Sequence, residues 1–293
     1  MNKILLIITI LLSNYLIAKV NTIVSILPQK TFVKAIGGDK VNVSLMVKPG
    51  NSPHTYEPKP SQMRDISKAD IYFAIGVEFE KIWLPKFTNQ NNTMKIANLA
   101  KNITKSPIIK HHHESEDSNH HDEHANEQHE EKISLDPHIW TSTNNVKIII
   151  KNILDTLVIY DKKNESYYKQ NYINFLSKIN ATDKKIKKIL KDTKKEAKFM
   201  VFHPAWGYFA KQYNLIQLVI EVEGKSPKPK QIAYLIEEAK EENVNAILTA
   251  PEFSDSIAKQ IANELNISVI KISPLNPKWS QNLINLANAI TNK

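Results

Sequence analysis

The sequence predicts an α/β protein made of two pseudosymmetric β/α lobes with mostly parallel sheets, joined by a long rigid helix. Three observations predict it. Short β-rich runs alternate with helical stretches punctuated by proline and glycine. A phrase of the form Pro-Lys-Pro-x-Gln occurs twice, at the same step of the same element order. Between the two halves lie stretches of helical spacing that contain neither Gly nor Pro.

In chain order, residues 1–18 read first as a secretory signal peptide: Met1-Asn2-Lys3, an apolar run from Ile4 to Leu12, then Leu16-Ile17-Ala18 before Lys19. Ser13, Asn14 and Tyr15 interrupt this stretch, whereas a membrane helix needs about 20 predominantly apolar residues, so cleavage after Ala18 is expected. The chain has no cysteine, which leaves no N-terminal Cys to carry a lipid, no disulfide framework and no thiolate metal site. A free periplasmic protein, taken as a monomer, is the expectation.

The N-terminal lobe is assigned residues 19–141. Thr22 to Leu27 is a β-rich run ending at Pro28, and Gln29 to Ile36 reads as a helix stopped by Gly37-Gly38. Val41 to Val47 supplies the next strand, Pro60 to Ala69 a helix, and Ile71 to Ile75 a strand closed by Gly76. Residues 142–195 form the connecting helices: Asn144 to Tyr160, then Asn164 to about Lys195, with Tyr168, Tyr172, Phe175, Ile179, Ile186 and Leu190 on a repeating face. Such a connector would hold hinge motion to small amplitudes.

The C-terminal lobe, residues 196–293, repeats the grammar. Lys198 to Phe202 is a strand ending in His203-Pro204, Trp206 to Gln212 a helix, and Leu215 to Val222 a strand. Pro58-Lys59-Pro60-Ser61-Gln62 opens the helix before the Ile71 strand, and Pro227-Lys228-Pro229-Lys230-Gln231 opens one before Val244 to Leu248. Val269 to Ile272 and a last helix bearing Leu283, Leu286, Ala287 and Ile290 complete the lobe.

A net charge of +9 raises the question of a nucleic-acid partner. The lysines are scattered beside asparagine and isoleucine, and the one arginine is Arg64. Without the planar guanidinium groups that read phosphate and guanine, no nucleic-acid partner is expected.

Seven of the ten histidines, His111, His112, His113, His120, His121, His124 and His129, fall within residues 111–131 among Glu and Asp, with no Lys or Arg. So polar a tract cannot bury enough surface to order itself and reads as a disordered loop holding Zn²⁺, Ni²⁺ or Cu²⁺ weakly. A solvated acidic loop with no metal role is the plainer alternative.

The other three stand apart: His54 after Ser52-Pro53, His138 after Asp136-Pro137, and His203 between Phe202 and Pro204. Each follows a β-like or Pro-marked segment where strand gives way to loop, and ligands of open α/β sheets bind beyond the carboxyl ends of strands. A lone histidine there is more often a hydrogen-bonded structural residue. Three at equivalent places point to a metal site in the cleft between lobes. Three neutral imidazoles suit Zn²⁺, whereas Mn²⁺ would be better served by two or more carboxylates.

The segments Ser52-Pro53-His54-Thr55-Tyr56-Glu57-Pro58, Asp136-Pro137-His138-Ile139-Trp140 and Phe202-His203-Pro204-Ala205-Trp206-Gly207-Tyr208-Phe209 resemble the zinc-binding components of ABC importers, the ZnuA-like branch of the cluster A-I proteins. The resemblance extends to the Gly76 to Trp83 segment and to the His-rich insertion. It implies periplasmic capture of Zn²⁺ as transported ligand, delivery to an inner-membrane permease and its ATPase, and His54, His138 and His203 as metal ligands. It also marks a departure. Many relatives carry an aspartate ligand before Pro-Leu in the last strand, where this chain has Ser273 in Ile272-Ser273-Pro274-Leu275. That leaves the fourth position to water or to a carboxylate such as Glu223.

Two other functions compete. Three histidines plus water is also the first shell of a catalytic zinc, but the chain has no His-Glu-x-x-His motif and no evident general base, so it is not read as an enzyme. A periplasmic zinc buffer or adhesin that never meets a transporter is the other.

Overall fold

The computed structural model describes residues 19–108, 134–222 and 225–291. The first lobe runs β1 (Val20–Val24), α1 (Leu27–Gly37), β2 (Val41–Leu45), α2 (Pro60–Ile66), β3 (Ile71–Ala74), α3 (Glu78–Gln90) and β4 (Lys95–Asn98). Two helices follow, α4 (Thr143–Tyr160) and α5 (Glu165–Ile189). The second lobe is β5 (Ala197–Val201), α6 (Gly207–Gln212), β6 (Leu215–Val219), α7 (Pro229–Glu241), β7 (Ala246–Thr249), α8 (Ser256–Leu265), β8 (Ser268–Lys271) and α9 (Trp279–Thr291).

Each lobe holds a four-stranded parallel sheet, in the orders β2-β1-β3-β4 and β6-β5-β7-β8. The second order is the first with every strand number raised equally, which is the pseudosymmetry expected. The recurring Pro-Lys-Pro-x-Gln phrase has the same job in both lobes. Pro60 and Pro229 occupy the first turns of α2 and α7, where a missing N–H costs nothing. Gln62 and Gln231 reach back to accept the backbone N–H of Lys59 at 2.9 Å and of Lys228 at 2.7 Å.

Several expected boundaries shift. The strand expected over Thr22 to Leu27 ends at Val24, and α1 starts at Leu27, because Pro28 sits comfortably in a helix's first turn and so begins the helix instead of separating it from the strand. Gln29 caps that turn, accepting the N–H groups of Ser25 and Ile26 at 3.0 Å each. β2 stops at Leu45, although the N–H groups of Met46 and Val47 still bond to Val24 and Ser25 carbonyls. Helices α3 and α8 and strand β4 have no counterpart in the sequence expectation.

Strand alternation builds the core of the second lobe. Met200, Leu218 and Ile247 point to one face of the sheet, against Leu235 and Ile261 of α7 and α8. Phe199, Val201, Val219 and Leu248 point to the other face and join a core continuous with α1, α4, α5, α9 and the first lobe. Each large apolar side chain fully buried there contributes roughly 1.5–3 kcal/mol. α5 runs along this shared core, touching α1 on one side and α9 on the other. No described helix is long and apolar enough to cross a membrane.

The two lobes are also pinned by indoles. Trp140 Nε1 donates to the carbonyl of Pro274 at 2.8 Å, and Trp279 Nε1 donates to the carbonyl of Trp140 at 2.7 Å. Both bonds lie beside the loops that carry the isolated histidines.

Candidate metal centre

His54 lies in the loop between β2 and α2, His138 immediately before a 3₁₀ turn (Ile139–Thr141) leading into α4, and His203 two residues beyond the end of β5. The topology puts all three at the cleft between the sheets. One ligand nitrogen from each lies within 4.8 Å of the others. Ring centroids stand 5.1 Å apart for His54 and His203, 5.2 Å for His138 and His203, and 6.5 Å for His54 and His138.

Each imidazole is held by a carboxylate at the same atom. Nδ1 of His54 lies 2.6 Å from Glu78 Oε2, Nδ1 of His138 lies 2.8 Å from Asp136 Oδ1, and Nδ1 of His203 lies 2.8 Å from Glu221 Oε1. A carboxylate accepts hydrogen bonds, so Nδ1 carries the proton in each pair and the Nε2 lone pair is left for an ion. This is the arrangement in which outer carboxylates fix the tautomer and raise the basicity of metal-binding histidines.

The three pairs sit in different surroundings. His138 and Asp136 are both buried, while Glu78 is largely exposed. The hydrogen bond from His54 holds the Glu78 carboxyl below the usual carboxylate range. Burial pushes the His203 imidazole below the ordinary histidine range, with the Glu221 hydrogen bond acting against it. His203 Nε2 is buried without a hydrogen-bond partner. Its ring stacks on Phe253 at 4.5 Å between centroids.

The carboxylates are themselves anchored. Oδ1 of Asp136 also accepts the backbone N–H of His138, and the carbonyl of Asp136 accepts the hydroxyl of Tyr208 at 2.9 Å. Burial drives that phenol up to about 12, so it stays a donor at any physiological pH. Near Glu78, the buried Glu80 gathers the N–H groups of Ile75 and Gly76 and the hydroxyl of Ser25, fixing the turn from β3 into α3. Burial raises the Glu80 carboxyl above its usual range.

The sequence reading missed Glu78, Asp136 and Glu221 as orienting groups. Register could have found the last: Val201 pairs with Val219, so His203 and Glu221 are equal steps past the ends of adjacent strands. It also missed Glu252, which lines the cavity with the three histidines. Ser273 does not stand alone at its strand end, for its hydroxyl donates to Glu252 Oε1 at 2.7 Å. Glu223 and the seven histidines of residues 111–131 lie outside the described residues.

The family described as "Zinc-uptake complex component A periplasmic" matches residues 23–292. The zinc-binding protein AdcA of Streptococcus pyogenes is 29% identical over 266 residues, which cover 88% of this chain and 50% of that protein. The chain thus spans half the length of the first curated relatives it matches. The high-affinity zinc uptake system protein ZnuA of Bacillus subtilis is 30% identical over 252 residues, 84% of this chain and 76% of that protein. Among solved structures, a crystal structure of ZnuA superposes with a TM-score of 0.83 at 37% identity, covering 94% of this chain and 98% of the other.

Proposed function

We infer the function from one premise: the chain belongs to the family of the periplasmic component A of zinc-uptake complexes. It captures Zn²⁺ on the outer side of the inner membrane and hands it to the permease and ATPase of an ABC importer. The metal is cargo, and the protein's part is to bind and release it, with no catalysed step.

The observation that carries this reading is the set of three imidazoles with one ring nitrogen apiece within 4.8 Å of the others, while each Nδ1 is spoken for by a carboxylate. A nitrogen-rich shell of this kind suits Zn²⁺ over Mn²⁺, Mg²⁺ and Ca²⁺, which want mainly oxygen. His54, His138 and His203 are the ligands, and the seven histidines of residues 111–131 add weaker sites. Residues 1–18 serve as the leader that directs export.

Shared packing along α5 and the two indole hydrogen bonds favour a site assembled before the ion arrives. Pre-organisation of this sort raises affinity by removing ordering cost. The test is calorimetry on chelator-stripped protein. One tight equivalent of Zn²⁺ is expected, with a stabilisation of about 2.7 kcal/mol at free metal 100 times Kd. No tight equivalent, or one that survives His138→Ala, sinks the reading. Growth of a deletion strain in zinc-chelated medium tests the transport role.

A further inference from the structure

Among the described residues, two carboxylates line the cavity of the three histidines, Glu78 and Glu252. Glu78 is committed to Nδ1 of His54. Glu252 is committed to no histidine. Its Oε1 accepts the Ser273 hydroxyl, and its Oε2 is buried with no hydrogen-bond partner. A carboxylate oxygen kept from water without a partner carries a desolvation cost that a cation relieves. His203 Nε2, on the same cavity, is likewise buried and unpartnered. Both atoms offer a lone pair, so neither can satisfy the other. A positive ion in the cavity would satisfy both.

The route by which the carboxylate reaches this place is written in the sheet. β7 and β8 are neighbours, with Thr249 opposite Lys271, so continuing the register sets Pro251 level with Ser273. The backbone N–H of Leu275 donates to Ser273 Oγ at 3.0 Å, which turns the hydroxyl hydrogen outward to Glu252. The next residue, Phe253, is the one stacked on His203, so a single loop both supports a histidine and carries the free carboxylate.

We propose that Glu252 is the fourth, anionic ligand of the bound metal, delivered from the end of β7, and that Ser273 at the end of β8 is its positioning residue. The proposal rests on the three-histidine reading above. The three imidazole nitrogens form the compact group, and Glu252, which lines the same cavity, would turn about its side-chain torsions to set Oε2 on the ion. The shell becomes three nitrogens and one oxygen, the four-coordinate set Zn²⁺ favours. The carboxylate that Ser273 displaces from one strand end is thereby supplied by the adjacent one.

The experiment uses the full-length, chelator-stripped protein, with Zn²⁺ titrated against a competing chelator and Co²⁺ as a spectroscopic probe of coordination. Glu252→Gln should weaken Zn²⁺ by at least about 100-fold, Glu252→Asp by less, and Ser273→Ala by about 10-fold, the lower end for an outer-shell partner. The visible Co²⁺ bands should change in Glu252→Gln while the metal-free melting temperature holds. Zn²⁺ affinity within about twofold of the unaltered protein in Glu252→Gln would overturn the proposal. So would weakened binding with an unchanged Co²⁺ spectrum, which would mark a structural effect. Retention of the tight site by His138→Ala is a separate failure, that of the three-histidine reading itself.

Discussion

Oδ1 of Asp136 lies 2.8 Å from Nδ1 of His138 and 2.8 Å from the backbone nitrogen of the same residue. One buried oxygen therefore fixes both the backbone and the ring, and the intervening Pro137 leaves the pair little freedom. Asp136→Asn keeps an acceptor in place but removes the charge that raises the basicity of the imidazole. The expected result is a Zn²⁺ affinity lower by about 10-fold to 100-fold in a chelator competition, with the fold retained. Unchanged affinity would mean that the pair is structural only.

The same carboxylate sets a limit on α6. A Cβ built on Gly207 would stand 2.9 Å from Asp136 Oδ2 and 3.3 Å from Gln217 Nε2. Gly207 has no positive φ, so alanine is conformationally acceptable there and gains helix propensity. What alanine disturbs is Asp136. Gly207→Ala is expected to weaken Zn²⁺ by up to about 10-fold while moving the metal-free melting temperature little. Loss of stability with affinity intact would place the effect in packing instead.

The parts of the molecule legible in the sequence are those that local chemistry decides. Prolines and glycines punctuate the first β/α units, the Pro-Lys-Pro-x-Gln phrases cap two helices, and each isolated histidine has a proline beside it, Pro53, Pro137 or Pro204, although His138 follows no strand and instead precedes a 3₁₀ turn. The illegible parts depend on which strands become neighbours. Glu78 and Glu221 lie 24 and 18 residues from the histidines they orient. Glu252 meets Ser273 across 21 residues, through the pairing of β7 with β8. α3 was hidden for another reason: Pro85 lies inside it, and proline within a helical pattern ordinarily reads as a stop. β4 is an edge strand whose Lys95, Ile96 and Asn98 are exposed, so no apolar run announces it.

Burial gives His203 a pH signature. Its folded pKa lies below the unfolded value of about 6.5, so in the window between the two the unfolded chain binds more protons than the folded one. Stability from this group is complete above about pH 6.5 and is lost as pH falls through the folded value. Thermal melts of metal-free protein from about pH 7.5 down to pH 5 should show a falling midpoint. His203→Ala should flatten that slope. Equal slopes in the two proteins would assign the acid sensitivity elsewhere. Zn²⁺ binding should weaken over the same interval, because a protonated imidazole offers the ion no lone pair.

The last prediction concerns the two histidine populations. The chain on either side of residues 109–133 is stitched together: Ile108 N–H donates to the Ser134 carbonyl and Asp136 N–H to the Ser106 carbonyl, each at 2.9 Å, around an antiparallel bridge of Pro107 with Leu135. The ends of that segment are thus held side by side whatever lies between them, and His138 is positioned by bonds on the near side of the stitch. Removing residues 111–131 and closing the gap with a short turn should leave the fold and the tight Zn²⁺ site intact. The weak additional equivalents should vanish, because His111 through His129 are gone. From its sequence, a tract almost without apolar residues is expected to gather its ligands afresh for each ion, at an entropic cost that a site on folded loops has already met. His138→Ala should do the reverse, abolishing the tight site while the weak equivalents persist, since it removes one of the three nitrogens that converge there. Chelator-competition titrations of both variants decide the matter: a tight site lost in the loop deletion and kept in His138→Ala would exchange the roles assigned to the two sets of histidines.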